Sequence, residues 1–151
     1  MPALRRGSSG RGLLHFIGRN YSAPLSPWIT RRIFPGAYSP ALSEVLPIFE
    51  PLDFSICDVE NLRLHYARTL ELWLERFERS AQQVAAQFGA NFERAWRLYL
   101  AGSLVAFRVG TLQLFQIVFA GPQYTRIPWT RAALYTSGPE QKEPQWTHAM
   151  S

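Results

Sequence analysis

Two residues carry the side chains best suited to chemistry in this sequence, His15 and Tyr66. His15 sits inside the short apolar run LLHFI at 13–17, bounded by Gly12 and Gly18. An imidazole near neutral pH can donate, accept or shuttle a proton. In that setting it is either a core histidine bonded to a backbone carbonyl or a histidine at the carboxyl end of a strand, where open α/β sheets place their ligands. Spacing alone favours the first. Tyr66 lies in the stretch 61–77, NLRLHYARTLELWLERF, with Tyr66, Leu70, Trp73, Leu74 and Phe77 at the spacing of one helical face. Arg68, Glu71, Glu75 and Arg76 fall between them, facing water. A phenol aimed inward near a helix start is either structural or the single polar group on the apolar wall of a pocket.

The composition limits what such residues can serve. Of 151 residues, 47% are hydrophobic and 14% aromatic, enough for one domain with a thick core or an apolar pocket. No run approaches the roughly 18 to 20 uncharged apolar residues of a membrane-spanning helix. The N-terminal MPALRRGSSGRG lacks the apolar stretch of a secretory signal. A single cysteine, Cys57, excludes an intramolecular disulfide and a cysteine metal cluster and fits a reducing cytoplasm. The net charge of +5 directs attention to anionic partners. Its arginines are spread along the chain with no nucleic-acid-binding pattern, which suits lipid headgroups better than base readout. A solvated basic surface without a role is an equal reading.

The elements that must position these residues follow in order. Residues 1–12 are rich in Gly, Ser and Arg and read as flexible. A buried strand spans 13–17. Residues 19–40 form a proline-punctuated loop with a helical turn near Trp28 and a Phe34-Pro35-Gly36 turn. Ser39 and Pro40 are placed to cap and open a helix with an apolar face of Leu42, Val45, Leu46 and Phe49. FSICD at 54–58 alternates as a half-exposed strand. The Tyr66 helix follows, then a second helical run after Ser80, broken near Gly89-Ala90-Asn91. Phe92, Trp96, Tyr99, Leu100, Ser103 and Phe107 continue at helical spacing, with Gly102 and Ala106 suited to close packing. Gly110 ends that helix, and TLQLFQIVF at 111–119 is the strongest strand. Residues 122–151 lack periodicity and read as a mostly disordered tail. This is an α/β pattern with one domain over 13–121 and few strands, and the edge of the first strand is expected to be unpaired.

Four segments, LLHFIG, WITRRIFPGAYSPALSEVL, DVENLRLHYARTLELWLERF and WRLYLAGSLVAFRVGTLQLFQIVFA, together resemble the C-terminal part of the cyclopropane-fatty-acyl-phospholipid synthase and mycolic acid cyclopropane synthase family. The resemblance covers roughly residues 11–120. It implies the C-terminal portion of a Rossmann-like class I methyltransferase fold, with a sheet of about three strands and a helical insert, lacking the cofactor-binding half. It also implies that the strands at 13–17, 111–119 and 54–58 pair in that spatial order. Enzymes of the family transfer a methyl group from S-adenosylmethionine to a cis double bond of a phospholipid acyl chain, with bicarbonate held beside the resulting cation as base. By resemblance His15, Ile17 and Tyr66 fall on bicarbonate-binding positions, with Tyr66 facing the anion and His15, and Phe34 is a candidate for the substrate wall. The glycine-rich S-adenosylmethionine loop and the bicarbonate-site cysteine and glutamate have no match here, and Cys57 stands in a different context.

The expectation is therefore a truncated or split methyltransferase of the cyclopropane synthase type, inactive alone, cytoplasmic and peripheral at the inner membrane face. Its partners are phospholipid acyl chains, an anionic membrane surface and a chain supplying the N-terminal cofactor-binding half. The alternative is a non-catalytic basic protein that binds lipid surfaces.

Overall fold

The computed structural model describes residues 10–128, 130 and 131. The N-terminal segment through residue 9 and most of the expected tail lie outside the described residues.

TLQLFQIVF forms the central strand of a three-stranded sheet, as its apolar and β-branched content requires. This strand, β3 (Gln113–Ala120), pairs antiparallel with β1 (Arg11–Gly18) on one side and with β2 (Ser55–Asn61) on the other, giving the order β1-β3-β2. The pairing order implied by the family resemblance is thus the one observed. Alternation along β3 serves two cores. Ile117 and Phe119 join Val45, Phe49 and Phe54 on one face, with Leu14, Phe16 and Val59 packed around them. Leu114 joins a helical core on the other.

Gly12 and Gly18, expected to bound the first strand, lie inside it. A Cβ on Gly12 would fall 2.3 Å from the Phe119 ring, and one on Gly18 would fall 2.7 Å from the Pro40 carbonyl oxygen. These glycines admit close neighbours rather than breaking the chain. β1 therefore begins at Arg11, within the segment expected to be flexible.

Between β1 and β2 the chain forms α1 (Pro27–Arg32), capped by the Ser26 hydroxyl, and α2 (Leu42–Val45). The expected start at Ser39-Pro40 is not realised. The Pro40 carbonyl instead accepts from Arg19 N at 3.0 Å, and Ala41 bridges Arg19 in parallel, which keeps 40 and 41 extended. Ala41 becomes the cap residue, and the Glu44 carboxylate accepts its N–H at 2.7 Å. Two 3-10 turns, Leu46–Ile48 and Glu50–Leu52, each with a proline in the first positions, follow in place of a longer helix. They end at Asp53 in the left-handed region. That turn aims Phe54 into the core before β2 begins and stacks its ring on Phe119.

The Tyr66 helix, α3 (Arg63–Phe88), starts two residues later than its pattern indicates, because β2 runs to Asn61. It continues through Ser80 into the expected second run. The Ser80 hydroxyl donates back to the Arg76 and Phe77 carbonyls and stays within the helix. Gly89, at φ +89°, then turns the chain into α4 (Ala90–Val109), and the two helices pack as an antiparallel hairpin. Ala67, Leu70, Phe77, Leu100, Leu104 and Phe107 form its core. Trp73, placed on the buried face by spacing, is 41% exposed. Gly102 also departs from expectation, since nothing lies near its Cβ position.

A polar junction closes the base of the hairpin where β2 enters α3 and α4 enters β3. Gln113 is 2% exposed; its Oε1 accepts from Asn61 Nδ2 at 2.7 Å and its Nε2 donates to the Gly110 carbonyl at 2.6 Å. Arg63 donates to the Phe107 and Arg108 carbonyls at 2.9 and 2.8 Å, satisfying the C-terminus of α4 with a cation where the helix dipole favours one. Gly110 takes the left-handed conformation that ends the helix, at φ +83°.

Gln113→Leu removes both amide bonds and leaves the Gly110 carbonyl without its partner. The expected loss is about 1–3 kcal/mol, read as a lower urea midpoint at unchanged slope. Gly110→Ala forces a Cβ into the left-handed region, with an expected loss of about 1–2 kcal/mol by the same measurement.

Candidate functional site

Along β1, Leu14 and Phe16 face the Val45–Phe49–Phe54 core, so Leu13, His15 and Ile17 share the opposite face. His15 is exposed, and its Nδ1 lies 3.1 Å from Gln116 Nε2 on β3, its direct cross-strand partner. The reading that spacing favoured, a core histidine bonded to a backbone carbonyl, does not hold: the strand is an edge, and this face of it is open. An amide nitrogen only donates, so Nδ1 accepts and the proton of the neutral imidazole sits on Nε2. That leaves an outward N–H donor on His15.

Ile17, next to last in β1, pairs with Leu114, whose side chain enters the hairpin core with Leu70 and Phe107. Tyr66 packs on that same core. Its ring meets Phe107 edge-on at 4.8 Å and Trp73 at 6.1 Å. His15, Ile17 and Tyr66 therefore lie on one side of the sheet, with Leu114 as the link between strand and helix. No hydrogen bond joins His15 to Tyr66 among the described residues.

Partial burial pushes the Tyr66 hydroxyl above the usual phenol range, and the neighbouring Tyr99 adds to the shift. Tyr99 is raised by burial as well, against a hydrogen bond with Ser103. Both phenols are thus held neutral well above physiological pH. They are hydrogen-bond donors there, not bases. Phe34, in the turn after α1, joins the same aromatic group, its ring edge-on to Tyr99 at 5.5 Å. The turn is exposed, with Phe34 46% accessible. The turn itself follows from the sequence, with Gly36 at φ +74°, but the contact with Tyr99 joins residues 65 positions apart and has no local signature.

Two further residues belong to this face and were not singled out by sequence reasoning. Gln116 lies between His15 on β1 and Glu60 on β2, so the three side chains form one cross-strand row. The polar residue in the middle of TLQLFQIVF was the available signal. Its neighbours could be assigned only once the register was fixed.

Elsewhere the chemistry is sparse. No group of three His, Cys, Asp or Glu able to hold a metal occurs among the described residues. Cys57 is the bulged residue of β2, and burial raises its thiol above the ordinary range, against the field of Arg11. A shallow concavity beside it is lined by Arg11, Asp58, Val118 and Arg131, and Arg131 pairs with Asp58 at 2.6 Å. It lies at the Arg11 end of β1, away from Ile17.

Residues 6–117 match the family described as mycolic acid cyclopropane synthetase. Among curated proteins, the chain is 37% identical over 124 residues to a probable fatty acid methyltransferase of Pseudomonas putida, covering 80% of this chain and 32% of that protein. It is 34% identical over 109 residues to the cyclopropane-fatty-acyl-phospholipid synthase of Escherichia coli K12, covering 72% and 28%. Among solved structures, it superimposes on mycolic acid cyclopropane synthase CmaA1 complexed with SAH and CTAB, with a TM-score of 0.64 and 25% identity over 74% of this chain and 44% of that one. The sheet and its helical hairpin are thus part of the α/β fold of class I S-adenosylmethionine-dependent methyltransferases. The chain spans about a third of the length of the curated relatives it matches. With more than two thirds of its residues inside the family match, the chain belongs to the mycolic acid cyclopropane synthetase family.

Proposed function

We propose that this chain is the acyl-chain-facing portion of a methyltransferase that adds a methyl group to the cis double bond of a phospholipid acyl chain. The observation that carries the reading is the gathering of His15, Ile17 and Tyr66 on one side of the sheet, beside the Phe34–Tyr99–Trp96 aromatic group. S-adenosylmethionine, when bound, supplies the electrophilic methyl. The proposal assigns its binding to the remainder of the fold, carried by a longer form of this polypeptide or by a second chain.

Bicarbonate fits the donors present. His15 offers an Nε2–H whose tautomer is fixed by Gln116, and Tyr66 offers a phenol that burial keeps protonated. Two neutral donors hold an anion without neutralising it, so a bound bicarbonate can offset positive charge on the substrate and accept a proton. The residues of the chain orient that anion. The half-buried rings of Tyr66, Trp96 and Tyr99 keep water from a cationic carbon.

Two outcomes test this. The isolated 151-residue chain is expected to show no saturable S-adenosylmethionine binding by calorimetry; saturable binding would place the cofactor site within it and refute the division of labour. Fused to the N-terminal two thirds of the E. coli relative, the chain is expected to support transfer of labelled methyl groups to unsaturated phospholipid. In that fusion Tyr66→Phe and His15→Ala should each lower kcat by about 10²-fold or more. Full activity in both variants would remove them from the site.

The tyrosine shift carries its own signature. A folded pKa raised above the unfolded value of 10.0 adds stability that is complete below pH 10 and lost as pH rises through the folded value. Ultraviolet titration should therefore show late-ionising tyrosines whose number falls by one in Tyr66→Phe.

A further inference from the structure

The tip of the α3–α4 hairpin is unlike the rest of its surface. All residues from 86 to 92 are exposed, and the twelve residues from 81 to 92, AQQVAAQFGANF, carry no charge. Phe88 is 57% exposed and Phe92 43%, with their rings 5.2 Å apart. Phe92 stacks nearly parallel on Trp96, which meets Tyr99 in turn, so the exposed pair is braced by a ladder of rings along α4. The fully buried part of the hairpin core ends at Phe77 and Leu100, and the two phenylalanines lie outside it. From Phe77 to Phe88, α3 runs about 16 Å further. Two large rings held out at a protruding end contribute nothing to that core.

Behind the tip three arginines, Arg79, Arg94 and Arg97, stand against two glutamates, Glu78 and Glu93, a net charge of +1. Arg79 on α3 and Arg94 on α4 are the first cations on either side, and neither has an acidic partner among the described residues; Arg94 donates to the neutral Asn91 Oδ1 at 2.6 Å. The nearby acids, Glu78 and Glu93, are both engaged by Arg97. The tip is exposed, uncharged and aromatic, and backed by cations with long apolar stems. That profile suits a bilayer surface, where rings enter the headgroup–acyl boundary and arginines reach the phosphates. A groove on another protein would have to supply concave shape and anions together.

We propose that the 86–92 tip docks this chain on an anionic phospholipid bilayer, with Phe88 and Phe92 inserted and Arg79 and Arg94 at the phosphate level. The site lies at the far end of the hairpin from the Gln113 junction and does not depend on the methyl-transfer reading, since its test measures no catalysis.

The full 151-residue chain is sedimented with vesicles of phosphatidylcholine alone or with about a third phosphatidylglycerol. Binding to the anionic vesicles is expected, at least about tenfold weaker in the Phe88→Ser/Phe92→Ser double variant. Arg79→Gln/Arg94→Gln should weaken the anionic binding and flatten its salt dependence. Brominated acyl chains should quench part of the tryptophan emission, and that part should vanish in Trp96→Phe. The phenylalanines are solvent-facing, so the double variant should melt as the parent does. Vesicle binding unchanged in the double variant, or no binding by the parent at low salt, would overturn the proposal. So would self-association of the parent that the double variant abolishes without any vesicle binding, because a second copy would then cover the tip.

Discussion

The structure depends on one buried amide. Gln113 sits where two chain reversals meet, β2 into α3 and α4 into β3, and its side chain bonds to the ends of both. The helical hairpin of residues 63–109 leaves the sheet and returns to the adjacent strand, so its two helices must be fixed to one another and to the sheet at a single place. Apolar packing supplies the adhesion through Leu70, Leu104, Phe107 and Leu114. It does not supply direction. An unpaired amide at 2% exposure would cost about 1–3 kcal/mol, so the junction tolerates only arrangements in which both bonds form. Arg63 adds a second constraint by closing the carbonyl end of α4 from the start of α3.

That junction also explains how Tyr66 comes to stand beside the sheet. It lies three residues after Arg63, within the first turn of α3, so whatever fixes the helix start fixes the phenol. Its ring then meets Phe107, three residues before Gly110, at the other end of the same clamp. Ile17 approaches through Leu114, the residue after Gln113. Three positions from remote parts of the sequence are thereby held by groups within a few residues of one another. His15 is placed differently, by strand register alone, and its orientation rests on Gln116.

The sequence was most legible where a single physical rule acted over many residues. The amphipathic period of 61–77, the β-branched content of 111–119 and the turn at Gly110 each resolved into the expected element. The family resemblance added the pairing order, which periodicity could not supply. Local reading failed where tertiary contacts overrode it. Gly12 and Gly18 look like strand breakers and are instead strand residues with a ring or a carbonyl occupying the Cβ space. Ser39 and Pro40 look like a helix start, but the Pro40 carbonyl is committed to Arg19. His15 was weighed as a core residue because its neighbours are apolar, whereas β1 is an edge strand that buries only alternate residues. The candidate site is a product of register and of packing between distant helices, so its members could be named from resemblance but not assembled from spacing.

The hairpin divides its charges in a way that gives its two ends different characters. Residues 63–109 hold seven arginines against four glutamates. Three of those glutamates are spent on fastening: Glu71 holds Arg108 and Arg68, Glu78 holds Arg97 across the helix pair, and Glu93 holds Arg97 within α4. Arg97 also lies 5.9 Å from the Phe77 ring centre, placing the crossing at the last buried layer. Such exposed pairs add little stability singly. What they do is tie each of these acids to an arginine, Glu93 at the tip end of α4 included. Beyond Arg97 the cations have no acidic partners among the described residues, and beyond Arg79 and Arg94 the one remaining charge is Glu93, buried and held by Arg97. A helix pair that needed only solubility at its exposed turn would carry its charges there. This one withdraws them and leaves two phenylalanines in their place, an arrangement that a purely structural hairpin does not require.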